Sequence, residues 1–440
     1  LLCVVLSVFV ANAQQVAVET HTFNLQDCIN YAYEHQDSLK NARLDVESAK
    51  YKVKETIGIG LPQVSGTANL QDYLKVPTTL LPGEFFNQPG TYIPVKFGVK
   101  YQSSVGVNIN QLIFDGSYLV GLQASKTYTE LSTRNYNRTK VQATVALTKA
   151  YYQVLVNDEQ IKLLDANISQ LKQQLNETSQ MNKQGFVEKI DVDRLTVLLN
   201  NLMTTRSNTV RLLALGYQML KFQMGMPIEE QLIVTDKIGT VQLDPAAAVA
   251  MTDSTAYKNR VEYSLLETSR KLNELNVKRL KSQYLPSLAA FGTSSYSFQN
   301  NNFGDLYDRK FPTSIVGLQL NIPIFKGFQQ KYRIKQAEIE VKKSDNILDM
   351  LKNGINLQIE SSRIMYTNGL ESLNNQKQNM DLAREVLRVT RIKYEQGVGS
   401  NIEVTQAQTQ LQESENNYIQ ALYTALISKV DLDTAYGNIK

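Results

Sequence analysis

Two carboxylates stand at equivalent places in this chain of 440 residues, Asp191 six residues past Gly185 and Glu403 six residues past Gly397. Each opens a stretch of helical periodicity, where an acid in the first turn offsets the helix macrodipole by roughly 0.3 to 1 kcal/mol. Acids repeated around a symmetry axis would do something else, because like charges held close recruit cations. Other chemistry is scarce. With 2 His, 2 Cys and no Trp, neither a His-rich metal site nor imidazole-centred catalysis has its parts. No nucleophile, base and acid form a constellation, and Gly58-Ile-Gly60 opens no dinucleotide fingerprint because Pro62 and a strand-like run follow it. The residues therefore point to no enzyme, no cofactor and no metal site. The formal charge of +4 is nearly balanced, with Lys and Arg scattered among Glu and Asp, so nucleic acid is not an expected partner. His21 and His35 read as solvated surface side chains, and Cys28 as a small buried residue of the first helix. Three glycosylation sequons, Asn167-Ile-Ser169 among them, fall in helical sequence and read as chance.

The elements that carry the two acids come twice. Val-Gly-Val-Asn-Ile-Asn-Gln-Leu-Ile-Phe-Asp-Gly at 105–116 returns as Val-Gly-Leu-Gln-Leu-Asn-Ile-Pro-Ile-Phe-Lys-Gly at 316–327, and Leu61-Pro62 is echoed by Leu285-Pro286. A repeat of about half the chain restricts function more than any single residue does. Both copies alternate with period two. Val105, Val107, Ile109 and Ile113 fall opposite Ser104, Asn108 and Asn110; Val316, Leu318, Leu320, Ile322 and Ile324 fall opposite Gly317, Gln319 and Asn321. Weaker alternation follows each Leu-Pro pair. Strands of about 10 to 13 residues are long enough to cross an outer membrane at a tilt. Tyr101 and Phe311 mark one end of the second and fourth strands, and Phe114 and Phe325 the other, where interfacial aromatic girdles lie. A soluble sandwich with one buried face is the competing reading of the strands. The two strand pairs are joined by long connections at 72–100 and 300–310. Four strands cannot close a membrane barrel, for which about eight is the minimum, so several chains must share one. Two or three chains satisfy that arithmetic equally.

Helices fill the remainder, at about 25–57, 117–184, 191–225, 256–284, 328–396 and 402–436. The helix at 117–184 lacks proline and carries Ile161, Leu164, Ile168, Leu171 and Leu175 at coiled-coil spacing; at 1.5 Å per residue it is on the order of 100 Å long. The last helix carries a narrow seam of Val404, Ala407, Leu411, Ser414, Tyr418, Ala421, Ala425 and Ser428. Narrow seams suit helices packed side by side into a tube, whereas a solid bundle wants wider apolar faces. A rod with a membrane end at the strands and a distant tip at Gly185 and Gly397 is the expected form. Residues 1–13 read as a signal peptide truncated at its start, ending in Ala11-Asn12-Ala13, with the mature chain beginning near Gln14. Cys3 leaves with the signal, and Cys28 has no partner for a disulfide. Residues 14–225 form the first repeat, 226–255 a linker or equatorial segment, and 256–440 the second repeat.

This order of helix, Leu-Pro strand, loop, strand ending in Ile-Phe-Asp-Gly or Ile-Phe-Lys-Gly, long helix, Gln-Gly turn and acid-opened short helix, given twice, resembles the TolC-type outer-membrane efflux ducts. The opening at 23–39 also resembles that family's first helix. The resemblance covers nearly the whole mature chain. It implies a mainly α protein with transmembrane β, a homotrimer whose twelve strands form a β-barrel in outer-membrane lipid, continued by a twelve-helix α-barrel. It implies a passive duct from the periplasm of a Gram-negative bacterium to the exterior, docked on a periplasmic adaptor (membrane fusion) protein and an inner-membrane pump of RND, ABC or MFS type. By the same resemblance Asp191 and Glu403 ring the periplasmic entrance, Tyr394 belongs to the latch that holds it shut, Gly185 and Gly397 form the tip turns, and Gly116 and Gly327 the strand-to-helix turns. Gln406 stands where the family's best-studied members have a second acid, and Gly399 where they have a basic latch residue, which weakens both ring and latch. The reading from a different class is an exported coiled-coil stalk or adhesin with no pore.

Overall fold

The structure, a computed structural model, describes residues 20–241, 243–244 and 255–439. The expected signal peptide at 1–13, Cys3 and the mature start near Gln14 lie outside the described residues, as do positions 242 and 245–254 of the expected linker. In chain order the elements are β1 (Thr20–Phe23), α1 (Leu25–His35), α2 (Asp37–Ile59), β2 (Gln63–Asp72), β3 (Thr78–Pro82), β4 (Tyr92–Lys96), β5 (Tyr101–Phe114), α3 (Gly116–Lys183), α4 (Lys189–Met224), β6 (Gln231–Val234), α5 (Val261–Ser282), β7 (Ser287–Asn300), β8 (Lys310–Asn321), α6 (Gln329–Glu395) and α7 (Asn401–Tyr436). They divide into two compact units. One takes the described residues up to Leu44, Thr133–Leu265 and those from Leu348 onward; the other takes Asp45–Ser132 and Leu266–Ile347.

The first unit is helical. Asn24 caps α1 in a capping box, accepting from the Asp27 amide at 2.9 Å while the Asp27 carboxylate accepts from the Asn24 amide at 3.1 Å, so two otherwise orphaned donors are satisfied at once. Asp236 accepts from the Leu25 amide and the Tyr151 hydroxyl, and β1 pairs in parallel with β6. Cys28, Ile29, Leu147, Tyr151, Leu220 and Met224 fill the core beneath them. Burial pushes the Cys28 thiol up to about 12, the behaviour of an inert packing residue. Farther along, Leu164, Ile168 and Leu171 of α3 close on Leu195, Leu199 and Leu202 of α4. In the second repeat Met380, Ala383 and Leu387 of α6 close on Val404, Ala407 and Leu411 of α7. Each leucine so buried contributes roughly 1.5 to 3 kcal/mol. Val156 of α3 meets Ile419, Leu422 and Leu426 of α7 and joins the repeats.

The second unit holds a four-stranded antiparallel sheet in the order β2-β5-β7-β8. Val105, Val107 and Ile109 share one exposed face with Val64, Val316, Leu318 and Leu320, while a bulge between Leu112 and Phe114 takes Ile113 out of the ladder. On the other face Asn108 bonds the Thr67 and Thr293 hydroxyls across three strands. No helix among the described residues is long and apolar enough to cross a membrane.

Several expectations need correction. The first helix is two, because Gln36 adopts extended backbone between α1 and α2. The segment 256–284 opens with a 3-10 turn at Ala256–Asn259 before α5. The connection 72–100 is not loop throughout but contains the β3–β4 hairpin. The fourth strand stops at Asn321, so Ile322, Ile324 and Phe325 lie beyond it and Phe325 marks no strand end. The histidines are not simply solvated. His21 Nε2 lies 3.1 Å from Glu230 Oε2 with only 20% of its side chain exposed, and His35 stacks on Tyr31 at 4.0 Å.

Candidate gate at the helix turns

The two turns that follow the long helices are built alike, and both lie in the helical unit. At the first, the Gly185 amide donates to Asn182 O and the Phe186 amide to Met181 O; at the second, Gly397 donates to Tyr394 O and Val398 to Lys393 O. This paired pattern is a Schellman motif, which satisfies the last carbonyls of a helix and requires a left-handed residue after it. Glycine supplies that conformation, with φ of 82° at Gly185 and 74° at Gly397.

After each turn the chain re-enters a helix, and the predicted acids fall at the same place, the third residue of α4 and of α7. Their surroundings differ. Asp191 is partly buried, its carboxylate 3.4 Å from Arg194 Nη1, while Glu403 is exposed and forms no ion pair among the described residues. The Glu403 amide donates to Ser400 Oγ, the N-cap of α7. The turns meet through a buried Asn401, whose Nδ2 donates to Asp191 O at 3.5 Å. Tyr394 and its counterpart Asn182 also diverge. Asn182 closes its own turn by donating to Val187 O at 2.8 Å, whereas Tyr394 packs against the α6–α7 core. Burial holds the Tyr394 hydroxyl above its ordinary pKa, the Thr178 side chain opposes this, and the Asp191 charge adds to it. The hydroxyl forms no well-directed hydrogen bond. A Cβ at Gly399 would come within 3.1 Å of the Tyr394 amide, so this turn is shaped around the absence of a side chain there. Gln406 is exposed and lines a groove of about 410 Å³ with Arg194, Thr405 and Thr409.

The strand-to-helix glycines belong to the sheet unit and are not equivalent. Gly327 is left-handed, with φ of 56°. Gly116 is chosen for closeness, since a Cβ there would meet Leu285 and Ser282 at 3.0 to 3.1 Å.

Sequence reasoning missed a buried polar seam above the turns. Asn401, Gln408 and Glu415 of α7 recur every seven residues and are 5%, 1% and 6% exposed. Glu415 accepts from Asn167 Nδ2 of α3 and lies 3.6 Å from Arg384 of α6. Desolvation raises the Glu415 pKa, against the opposing effects of Asn167 and Arg384. Both amide atoms of Gln408 are buried without partners. Asn167, read in the sequence as part of a chance sequon, is therefore a seam residue. The signal was available as a seven-residue step of polar residues beside the small-residue seam.

The sequence profile of the family "Outer membrane efflux protein" matches residues 28–202 and 254–438. The chain is similar to the outer membrane protein TolC of Vibrio cholerae, 20% identical over 423 residues, which span 94% of this chain and 91% of that one. It is 21% identical over 332 residues to the alkaline protease secretion protein AprF of Pseudomonas aeruginosa, covering 74% of this chain and 68% of AprF. Among solved structures, the outer membrane protein VceC of Vibrio cholerae superposes with a TM-score of 0.74 at 13% identity, covering 94% of this chain and 96% of VceC.

Proposed function

The chain belongs to the outer membrane efflux protein family, and from that premise we propose that it is the passive exit duct of a tripartite efflux or secretion system. The protein resides in the outer membrane of a Gram-negative bacterium. Structures of the same fold include the outer membrane channels CmeC and OprN, which favours a duct over a stalk without a pore. The observation that carries the reading is the sheet: four strands with one apolar exposed face and two unpaired edges. Such a sheet is stable in lipid only when its edges are closed. Three copies give twelve strands, continued by the long helices as a tube. The tip turns then face a periplasmic adaptor, which connects the duct to an inner-membrane pump of RND, ABC or MFS type. Exposed Phe186 and Val398 at the two turns supply apolar contacts for that docking.

Around a threefold axis, Asp191 and Glu403 form an acidic ring at the entrance, with Tyr394 and Gln406 beside it. Converging carboxylates attract cations and repel anions. Planar-bilayer recordings test this part. Asp191→Ala combined with Glu403→Ala should reduce cation preference and block by divalent cations; unchanged selectivity and unchanged block would refute the ring.

A further inference from the structure

The valine face of the sheet changes character at the end away from the helices. Across the four strands, Val64, Ile109, Gly292 and Val316 form one rung of that face, and six residues farther Leu70, Ser103, Phe298 and Lys310 form another. Aliphatic side chains give way there to rings and a cation. Tyr296, opposite Val105, and Tyr101 belong to the same face on either side of this rung.

The connection 300–310 folds back onto these residues. Asn301 Oδ1 accepts from the Lys100 amide at 3.1 Å and Asn300 Nδ2 donates to Asp305 O at 2.9 Å, and Leu306 within the loop is fully buried. Two more rings are brought to the strands in this way: Phe303 meets Tyr101 edge-on at 5.3 Å, and Tyr307 meets Phe298 edge-on at 5.0 Å. The Tyr307 hydroxyl also donates to Ser103 Oγ at 3.4 Å. Ammonium groups lie over the rings, Lys100 Nζ at 4.9 Å from the Tyr101 centroid and Lys310 Nζ at 5.4 Å from that of Tyr296.

An interfacial girdle needs only aromatic residues on the strands themselves. Here Phe303 and Tyr307 come from a loop that is tied down around them, and with Tyr296 they stay open to a ligand, at 53%, 56% and 47% exposure. Lysines at a lipid boundary lay their stems along apolar surface and hold the ammonium among the headgroups, where it meets phosphate. The strands bring one acid to this face, Asp72 opposite Tyr101. In the loop, Asp305 accepts from Asn302 Nδ2 at 2.8 Å, and Asp308 is followed by Arg309 and Lys310.

We infer that this cluster binds a phosphorylated glycolipid of the outer leaflet. Its phosphates lie against Lys100 and Lys310, its sugar rings against Tyr296, Phe303 and Tyr307, and its acyl chains on Val105, Val107 and Val316. A glycerophospholipid matches the lysines alone, since it brings no sugar to the rings. The site rests on the duct reading above, in which the valine face meets lipid and the long connections lie outside.

Native mass spectrometry of the full-length protein released from detergent micelles tests this site. A chelator is present, so that no divalent cation bridges phosphate to Asp72. The probes are lipid A with its phosphates, the same lipid dephosphorylated, and phosphatidylglycerol. Lipid A should give discrete bound species. Removing its phosphates, or substituting Lys100→Gln with Lys310→Gln, should weaken binding about tenfold or more. Phe303→Ala with Tyr307→Ala should weaken lipid A and leave phosphatidylglycerol unaffected. Lys54→Gln with Lys331→Gln, which remove the cations over Tyr51 and Phe328 at the helix end, should leave lipid A binding unchanged. The site is overturned if the Lys100 and Lys310 double variant binds lipid A like the unmodified protein, if the helix-end variant loses as much, or if phosphatidylglycerol binds as tightly as lipid A. Should the lysine variant fail to fold, the Phe303 and Tyr307 pair carries the same decision. Protein that conducts in planar bilayers without discriminating among the lipids loses only the glycolipid site. Protein that is monodisperse without detergent and forms no channels loses the duct reading with it.

Discussion

Glu415 is a carboxyl held where a charge is costly, and its titration carries a sign that can be checked. A carboxyl whose folded pKa lies above its unfolded value of about 4.3 stabilises the fold below that value, and the contribution is lost as pH rises through the folded pKa. Desolvation raises Glu415 in this way. Glu415→Gln keeps an acceptor for Asn167 without the buried charge, so it should raise the melting temperature at pH 8 by the equivalent of about 1 kcal/mol and change little at pH 4. Circular dichroism melts at both values decide this, and an equal effect at the two would refute it. The turn glycines give a second test. A Cβ at Gly185 or Gly397 meets nothing within 4 Å, so the cost of Gly→Ala is conformational alone, about 1 to 2 kcal/mol. Limited proteolysis should show faster cleavage at 184–188 or 396–400 in the respective variants. Both glycines were legible from the sequence because a helix stop needs a particular residue there. Glu415 was not, because an acid in a polar helix looks solvated until its neighbours on α3 and α6 are in place.

At the scale of elements, periodicity located the long helices to within a residue or two, since α3 and α6 contain no proline and end at Gly turns. It did not separate α1 from α2, because the break at Gln36 is an extended residue with no Gly or Pro to announce it. Nor did it end the fourth strand, because Ile322 and Ile324 keep the alternation of β8 after their pairing partner has run out. Pattern reports which face a residue would take; hydrogen bonding decides whether there is a strand. The small-residue seam of α7 was legible for the same reason as the long helices, and Val404, Ala407, Leu411, Ser414, Ala421, Ala425 and Ser428 are all buried. Its polar companions interrupt what would otherwise be a continuous apolar contact between the repeats. Gln408 leaves two amide atoms buried and unpaired, a state that costs about 1 to 3 kcal/mol per group. Gln408→Leu should therefore stabilise the protein by at least about 1 kcal/mol, read as a higher urea midpoint, whereas Leu411→Ala on the apolar face should lower it by roughly 2 to 5 kcal/mol. A destabilised Gln408→Leu would mean that the amide is satisfied in the assembled protein.

For the whole molecule, the question is which solvent each face of the sheet meets. A soluble sandwich would bury the valine face and wet the polar one. Here Val105, Val107 and Ile109 are 49%, 46% and 45% exposed, while Asn108 is engaged across three strands by Thr67 and Thr293. Lipid on the valine face and water on the asparagine face satisfy both observations. Two neighbouring substitutions separate this arrangement from a sandwich, because they sit at almost the same depth and differ only in the face they charge. Val107→Arg should cost about 2 to 4 kcal/mol in a bilayer, the range for arginine at the midplane of a membrane barrel. Asn108→Arg should cost about 1 kcal/mol, for the hydrogen bonds it loses. Urea titration of the protein reconstituted in vesicles measures both. A buried valine face in a soluble sandwich would also reject arginine, so the decisive readout is the environment. In detergent-free buffer a sandwich remains folded and monodisperse, while a lipid-facing sheet aggregates and recovers its order of tolerance only when vesicles are returned.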